Sequence, residues 1–272
     1  MSPHTTHILR DIAEGGGSIV FLSGAGISAE SGIPTFRGPE GFWTVGSRVY
    51  QPEELATWAT FSRQPDLVWP WYLWRRKTCR EAEPNDAHRA LANIESHMGD
   101  RFTLVTQNVD GLHLRAGSSP ERTYEIHGNI DYFRCIQGCG PRKQVPDLPH
   151  VDEQAVFHQD WAVALSCERC RTWMRPHVLW FDECYDENHY RIDSTVAAMN
   201  EADALVVIGT TGATSLPAHM LQMAQSRGLP IYDINPDDNP FAQVAARGPG
   251  EWLQTTATEG VVSLERIITE GH

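Results

Sequence analysis

Short apolar runs bounded by Gly, Asn, Asp or Pro recur at residues 18–22, 102–106, 178–181, 205–209 and 231–234. Runs of this length without polar alternation predict strands buried on both faces. Helix-like stretches lie between several of them, notably 87–97, 190–200 and 217–227. The alternation predicts an α/β fold built on a doubly wound, Rossmann-like parallel sheet.

Two stretches break this rhythm. Residues 39–80 are rich in Trp and Arg, and 131–175 contain four cysteines in two close pairs. We assign both to a smaller second domain, a helical module plus a four-cysteine module, leaving 1–38, 81–130 and 176–272 to the sheet domain. There is no internal repeat or low-complexity run, and Gly15-Gly16-Gly17 is a turn before the first strand.

Composition narrows the class without changing this picture. At 272 residues the chain can bury a sizeable core, and its 41% hydrophobic and 21% charged residues match an ordinary folded protein. A formal net charge of -13 disfavours a broad nucleic-acid surface while favouring basic, lysine-rich protein partners. No run is long and apolar enough for a bilayer, and the start Met1-Ser2-Pro3-His4 lacks the character of a secretory leader. The expected compartment is the cytoplasm, with no membrane partner.

The chemistry begins after the first strand. Gly24-Ala25-Gly26-Ile27-Ser28 is a Gly-rich turn that would let backbone N–H groups approach a pyrophosphate. Taken alone, a packing role is nearly as good an account. Thr35-Phe36-Arg37-Gly38 adds a ring to cover a cofactor and a guanidinium to meet phosphate or ribose oxygens. Gln107, Asn108 and Asp110 follow the second strand, where sheet ligands collect, although Asn108 and Asp110 singly also suit helix caps or turns. His127 follows a short apolar run and precedes Gly128, and its ordinary pKa suits a general base near neutrality. Gly209, Thr210 and Thr211 close a later strand, and Asn235 stands where a polar side chain would hold ribose hydroxyls.

Cys135 and Cys139 are separated by three residues, and Cys167 and Cys170 by two. Two such knuckles make one closed, structural four-thiolate zinc site. Cys79 and Cys184 read as idle thiols.

The order of these motifs resembles the sirtuin family over nearly the whole chain. The resemblance rests on Gly24-Ala25-Gly26-Ile27-Ser28, Gly32-Ile33-Pro34-Thr35-Phe36-Arg37, Thr106-Gln107-Asn108-Val109-Asp110, His127-Gly128, the four cysteines, Arg175-Pro176-His177-Val178 and Gly209-Thr210-Thr211. It implies NAD as co-substrate, with Gly24, Ala25, Gly26, Phe36, Arg37, Gln107, Asn108 and Asp110 in the NAD pocket. Gly209, Thr210, Thr211 and Asn235 would hold the adenosine half, and His127 would be the base. Val178 and Phe181 would flank an acyl-lysine whose peptide adds as a strand between the domains. The implied reaction is removal of acyl groups from protein lysines, giving nicotinamide, O-acyl-ADP-ribose and free lysine.

Three positions depart from the family pattern. Asp182 replaces a usual Gly, Gly209-Thr210-Thr211-Gly212 replaces the Gly-Thr-Ser turn, and the first knuckle carries one extra residue.

Tyr72 and Arg75, in Val68-Trp69-Pro70-Trp71-Tyr72-Leu73-Trp74-Arg75-Arg76, share a face if this stretch is helical. A phenol beside a guanidinium suits a carboxylate. The pair resembles the Tyr-x-x-Arg of the sirtuin branch that removes succinyl, malonyl and glutaryl groups, from which Pro70 departs. A helix with Arg75, Arg76 and Lys77 on a solvated face is the competing account. Other readings are an ADP-ribosyltransferase or NAD glycohydrolase of the same fold, a non-catalytic NAD-sensing module with a zinc ribbon, and a hydride-transferring dehydrogenase. The Gly spacing after the first strand disfavours the last.

Overall fold

The computed structural model describes residues 1–34, 52–152 and 156–270. The chain opens with α1 (Pro3–Glu14), capped by the Ser2 hydroxyl, and enters β1 (Ile19–Ser23) and the single turn α2 (Gly26–Ala29). Short α3 (Pro52–Leu55) and α4 (Trp58–Phe61) lead into α5 (Pro65–Glu81). Next come α6 (Asp86–Met98), β2 (Phe102–Thr106), α7 (Leu112–Ala116) and β3 (Thr123–Glu125). Then β4 (Gly128–Cys135), β5 (Lys143–Gln144), α8 (Gln159–Ala164) and β6 (Met174–Val178) form the cysteine-bearing part. The chain closes with α9 (Glu187–Tyr190), α10 (Ile192–Glu201), β7 (Ala204–Ile208), α11 (Ser215–Arg227), β8 (Ile231–Ile234), α12 (Pro240–Ala245), β9 (Glu251–Leu253) and α13 (Ala257–Thr269).

Six strands form one parallel sheet in the order β3-β2-β1-β7-β8-β9. Every residue of β1, β7 and β8 is buried, which is why these runs lack polar alternation. One apolar cluster joins Leu9, Leu91, Ile94, Val261 and Leu264 of α1, α6 and α13 to Phe21, Leu104 and Val206. A second joins Met199, Met220, Leu221 and Phe241 of α10, α11 and α12 to Val20, Leu22 and Val207. Helices therefore cover both faces, as the strand–helix alternation predicts. Strand order reverses between β1 and β7, and the crevice at such a reversal is where doubly wound sheets bind ligands.

The second sheet is small and antiparallel, in the order β5-β4-β6. It packs with α4 and α5 around Phe61, Val68, Trp69, Tyr72, Phe133, Trp161 and Trp180. The sheet begins at Gly128 and ends at Val178, reaching a few residues beyond 131–175 on either side.

Residues 178–181 are not a strand of the parallel sheet, which corrects the sequence expectation. The strand there is β6, and it ends at Val178. Beyond it, Trp180 N–H donates to the Glu183 carboxylate at 3.0 Å and Phe181 N–H to the Ala56 carbonyl at 3.0 Å. The apolar run records burial of Trp180 against Phe61, with ring centroids 5.1 Å apart, and not ladder pairing. β3 and β9 are only three residues each, too short to stand out as apolar runs.

Candidate functional site

The parallel register brings Ser23, Thr106, Glu125, Ile208 and Ile234 level at the carboxyl edge of the sheet. Among the described residues, the polar loops singled out at 24–28, 107–110, 209–211 and 235 leave this edge. The turns after β1 and β7 touch: Gly26 N–H donates to the Gly209 carbonyl at 2.8 Å. A Cβ on Gly26 would lie 2.6 Å from Gly209 Cα, and one on Gly24 would lie 2.6 Å from Thr210 Cβ. Only glycine allows this approach, and it leaves a cradle of main chain at the strand-order reversal.

On the other side of that turn is a buried polar network. Ser28 Oγ donates to Asp110 Oδ2 at 2.7 Å and accepts from Asn108 Nδ2 at 3.0 Å. Asp110 Oδ1 accepts from Leu112 N–H at 2.9 Å. Burial raises the Asp110 carboxyl, while the bonds from Leu112 and Ser28 oppose the rise. His88 and His113 complete the floor with ring centroids 4.8 Å apart, and His113 Nε2 lies 2.9 Å from Ser23 Oγ. Desolvation pulls His88 down to about 4 and His113 well below its ordinary value, so both imidazoles stay neutral.

A cavity opens over this network, lined by Ala25, Ser28, Asn108, Asp110, Cys79 and Arg75. Ala25, Asn108 and Asp110 thus meet as the sequence implies. Gln107 sits on the β7 side, donating from Nε2 to Thr210 Oγ1 at 2.7 Å and accepting at Oε1 from Thr214 at 3.1 Å. Asn235 Nδ2 donates to the Thr210 carbonyl at 2.9 Å, so Thr210 and Asn235 form one unit beside the glycine cradle. Thr211 is exposed next to it. Phe36 and Arg37 lie outside the described residues.

His127 is half-buried between the two sheets. Its Nδ1 lies 3.0 Å from the Gln107 carbonyl, which only an N–H can satisfy, so Nε2 carries the lone pair. Burial pulls the imidazole down to about 4, against the opposing pull of the Gln107 carbonyl. The ring is therefore a neutral proton acceptor at physiological pH. Nε2 meets the Tyr185 hydroxyl at 2.9 Å, with the two rings stacked at 5.9 Å. Gly128, at φ +84°, follows directly, and a Cβ there would lie 2.0 Å from the His177 carbonyl oxygen.

Tyr72 and Arg75 lie one turn apart on α5, both buried. Tyr72 accepts from Trp180 Nε1–H at 2.8 Å, leaving the phenol's own proton to donate elsewhere, and burial raises that phenol to about 12. The Arg75 guanidinium lies over the Trp71 ring, 4.6 Å from its centroid. Arg76 is buried too, bonded to Asp131 at 3.0 Å, so Lys77 alone of the three cations has the solvated place. Val178 is buried and Phe181 is 59% exposed; Trp180 is the buried aromatic of that loop. The Asp182 carboxylate accepts from Trp58 N–H at 2.7 Å and Ala59 N–H at 3.0 Å, tying the loop to the start of α4.

The four Sγ atoms of Cys135, Cys139, Cys167 and Cys170 lie within 4.8 Å of one another, with Cys135 and Cys170 at 3.5 Å. Tetrahedral zinc–thiolate bonds require sulfur–sulfur spacings of about 3.8 Å, so the cluster fits one structural zinc. The remaining thiols are Cys79, pushed up to about 12 by burial, and exposed Cys184.

Ser28, His88, His113 and Tyr185 were not singled out as site residues in the sequence. Ser28 stands inside a quoted motif and His113 three residues beyond Asp110, while His88 and Tyr185 carry no local signal.

A profile of the Sir2 family matches residues 24–215. A Leptospira interrogans protein described as an NAD-dependent protein deacylase is 42% identical over 221 residues, covering 81% of this chain and 82% of the relative. The solved structure of a Sir2 homologue with NAD aligns with a TM-score of 0.78 at 34% identity, covering 97% of this chain and 93% of the other. A mutant Sir2 homologue with 2'-O-acetyl ADP ribose aligns with a TM-score of 0.79 at 34% identity, covering 99% and 97%.

Proposed function

This chain belongs to the Sir2 family and is an NAD-dependent protein deacylase, and from that premise we propose that His127 is its base and that Tyr72 and Arg75 select acidic acyl groups. NAD is consumed as co-substrate: it supplies a nicotinamide leaving group and a ribose that takes over the acyl group. The chain's own part is to hold, orient and deprotonate. The glycine cradle at Gly24, Gly26 and Gly209 suits a pyrophosphate, Thr210 and Asn235 the adenosine ribose, and Asn108 with Asp110 the carboxamide of nicotinamide. His127, held by Gln107 with Nε2 as its basic nitrogen, takes the ribose-hydroxyl proton.

The observation that carries the acyl preference is the shared burial of Tyr72 and Arg75 on one face of α5, with Arg75 in the same cavity as Asn108 and Asp110. A cation out of water, beside a phenol that keeps its own O–H as a donor, suits the carboxylate of a succinyl, malonyl or glutaryl chain. Such a charge-assisted contact is worth about 1.5–3 kcal/mol, or roughly ten- to a hundredfold in kcat/KM. Desuccinylation should therefore exceed deacetylation on the same peptide, and Arg75→Met should reverse the order while sparing deacetylation. Equal or better activity on acetyl-lysine in the unmodified enzyme refutes the preference.

A further inference from the structure

His127 has one basic nitrogen, and that nitrogen is already occupied. Nδ1–H is committed to the Gln107 carbonyl, and the Nε2 lone pair takes the Tyr185 O–H at 2.9 Å. A proton bound for His127 must either displace the phenol or pass through it. Displacement is costly here because the phenol is held from two sides. Its ring stacks on the imidazole, and Thr214 and Ser215 at the start of α11 lie beside its hydroxyl. Thr214 in turn binds Gln107, whose carbonyl fixes the imidazole. Moving Tyr185 would break both the ring stack and the bond to Nε2, whereas passing a proton along it leaves every heavy atom in place.

We infer that Tyr185 is a catalytic proton relay between the ribose hydroxyl and His127; this rests on the reading of His127 as the base. In the step, the ribose O–H bond breaks and its proton goes to the Tyr185 oxygen, while the original Tyr185 proton moves to Nε2. The ribose oxygen keeps its electron pair and attacks the acyl carbon. The new positive charge resides on an imidazolium whose Nδ1–H still faces the Gln107 carbonyl. The relay also explains why a loop with exposed Phe181, Asp182 and Cys184 turns a half-buried tyrosine inward.

The test compares Tyr185→Phe, His127→Ala and the unmodified enzyme in single turnovers with NAD and an acyl-lysine peptide, following nicotinamide and free lysine separately. Nicotinamide departs before the base acts, so Tyr185→Phe should release it at the parental rate and form lysine at least about tenfold more slowly, since a positioned acid–base group contributes roughly 10²–10⁴-fold. In ligand-free protein, the 15N resonance of His127 Nε2 should move in Tyr185→Phe toward that of an imine nitrogen without a donor. Parental or faster lysine formation in Tyr185→Phe, with His127→Ala inactive, overturns the relay and leaves the base intact. Lysine formation at the parental rate in His127→Ala overturns the base itself. Equal slowing of nicotinamide and lysine in Tyr185→Phe also overturns the relay, because it marks a structural role.

Discussion

Asp233 offers a sharp test of the energetics beneath the site. It lies on β8 two residues before Asn235, with its side chain fully buried. One oxygen accepts from Asn239 Nδ2 at 2.8 Å, while the other makes no hydrogen bond among the described residues. Burial pushes the carboxyl up to about 7. An acid raised in the folded state costs stability fully above its folded pKa. The cost recedes as pH falls through that value, and it is gone below the unfolded pKa near 3.9. A rise of about three units at about 1.4 kcal/mol each puts the cost near 4 kcal/mol at pH 8, and about 1.5 kcal/mol at pH 5. Asp233→Asn removes this charge and keeps the acceptor for Asn239, while burying an amide group that costs about 1–3 kcal/mol. The variant should therefore be more stable than its parent at pH 8, and its advantage should shrink by about 2.5 kcal/mol on going to pH 5. At about 2–4 °C per kcal/mol, thermal melts at the two pH values should show the Tm difference contracting by roughly 5 °C or more. A difference independent of pH, or an Asn variant less stable than the parent at pH 8, refutes the reasoning.

Zinc should be present at one per chain and be lost on replacing Cys167 and Cys170 together with Ser, with unfolding of the small sheet; stoichiometric metal in that variant by elemental analysis would contradict the assignment. Gly26→Ala forces a Cβ to 2.6 Å from Gly209 Cα, so KM for NAD should rise at least about tenfold, and a parental KM would show that the two turns can part freely. Asp182→Ala removes the acceptor for Trp58 and Ala59 N–H, worth about 1 kcal/mol, and should raise KM for the acyl peptide severalfold with kcat preserved; an unchanged KM means the staple has no part in shaping the peptide edge.

Much of this was legible in the sequence because the physics is local. The runs at 18–22, 102–106, 205–209 and 231–234 become β1, β2, β7 and β8 because a parallel strand covered on both faces needs continuous apolar side chains. The cysteine spacing marks the cluster because each knuckle is a short local turn. The run at 178–181 misleads because apolarity reports burial, which Trp180 achieves in a loop against Phe61 and Tyr72. Tyr185 is illegible for the opposite reason: its partner His127 is 58 residues away, and nothing near position 185 shows that a loop will bring the two together. Asp182 stands in the sequence only as a departure from the family's Gly, while the fold bonds its carboxylate to two backbone N–H groups.

The pairing of β4 with β6 makes distance from the reaction a poor guide to vulnerability. At one end this antiparallel pair carries Cys135 beside Met174. At the other, Gly128 pairs with Val178 and Leu179 N–H holds the His127 carbonyl at 2.9 Å. This pair, irregular between Gly128 and Phe133, is clamped at its far end by the four-cysteine cluster. An oxidant that attacks the thiolates never needs to reach the crevice, since releasing the clamp loosens the strand that begins directly after His127.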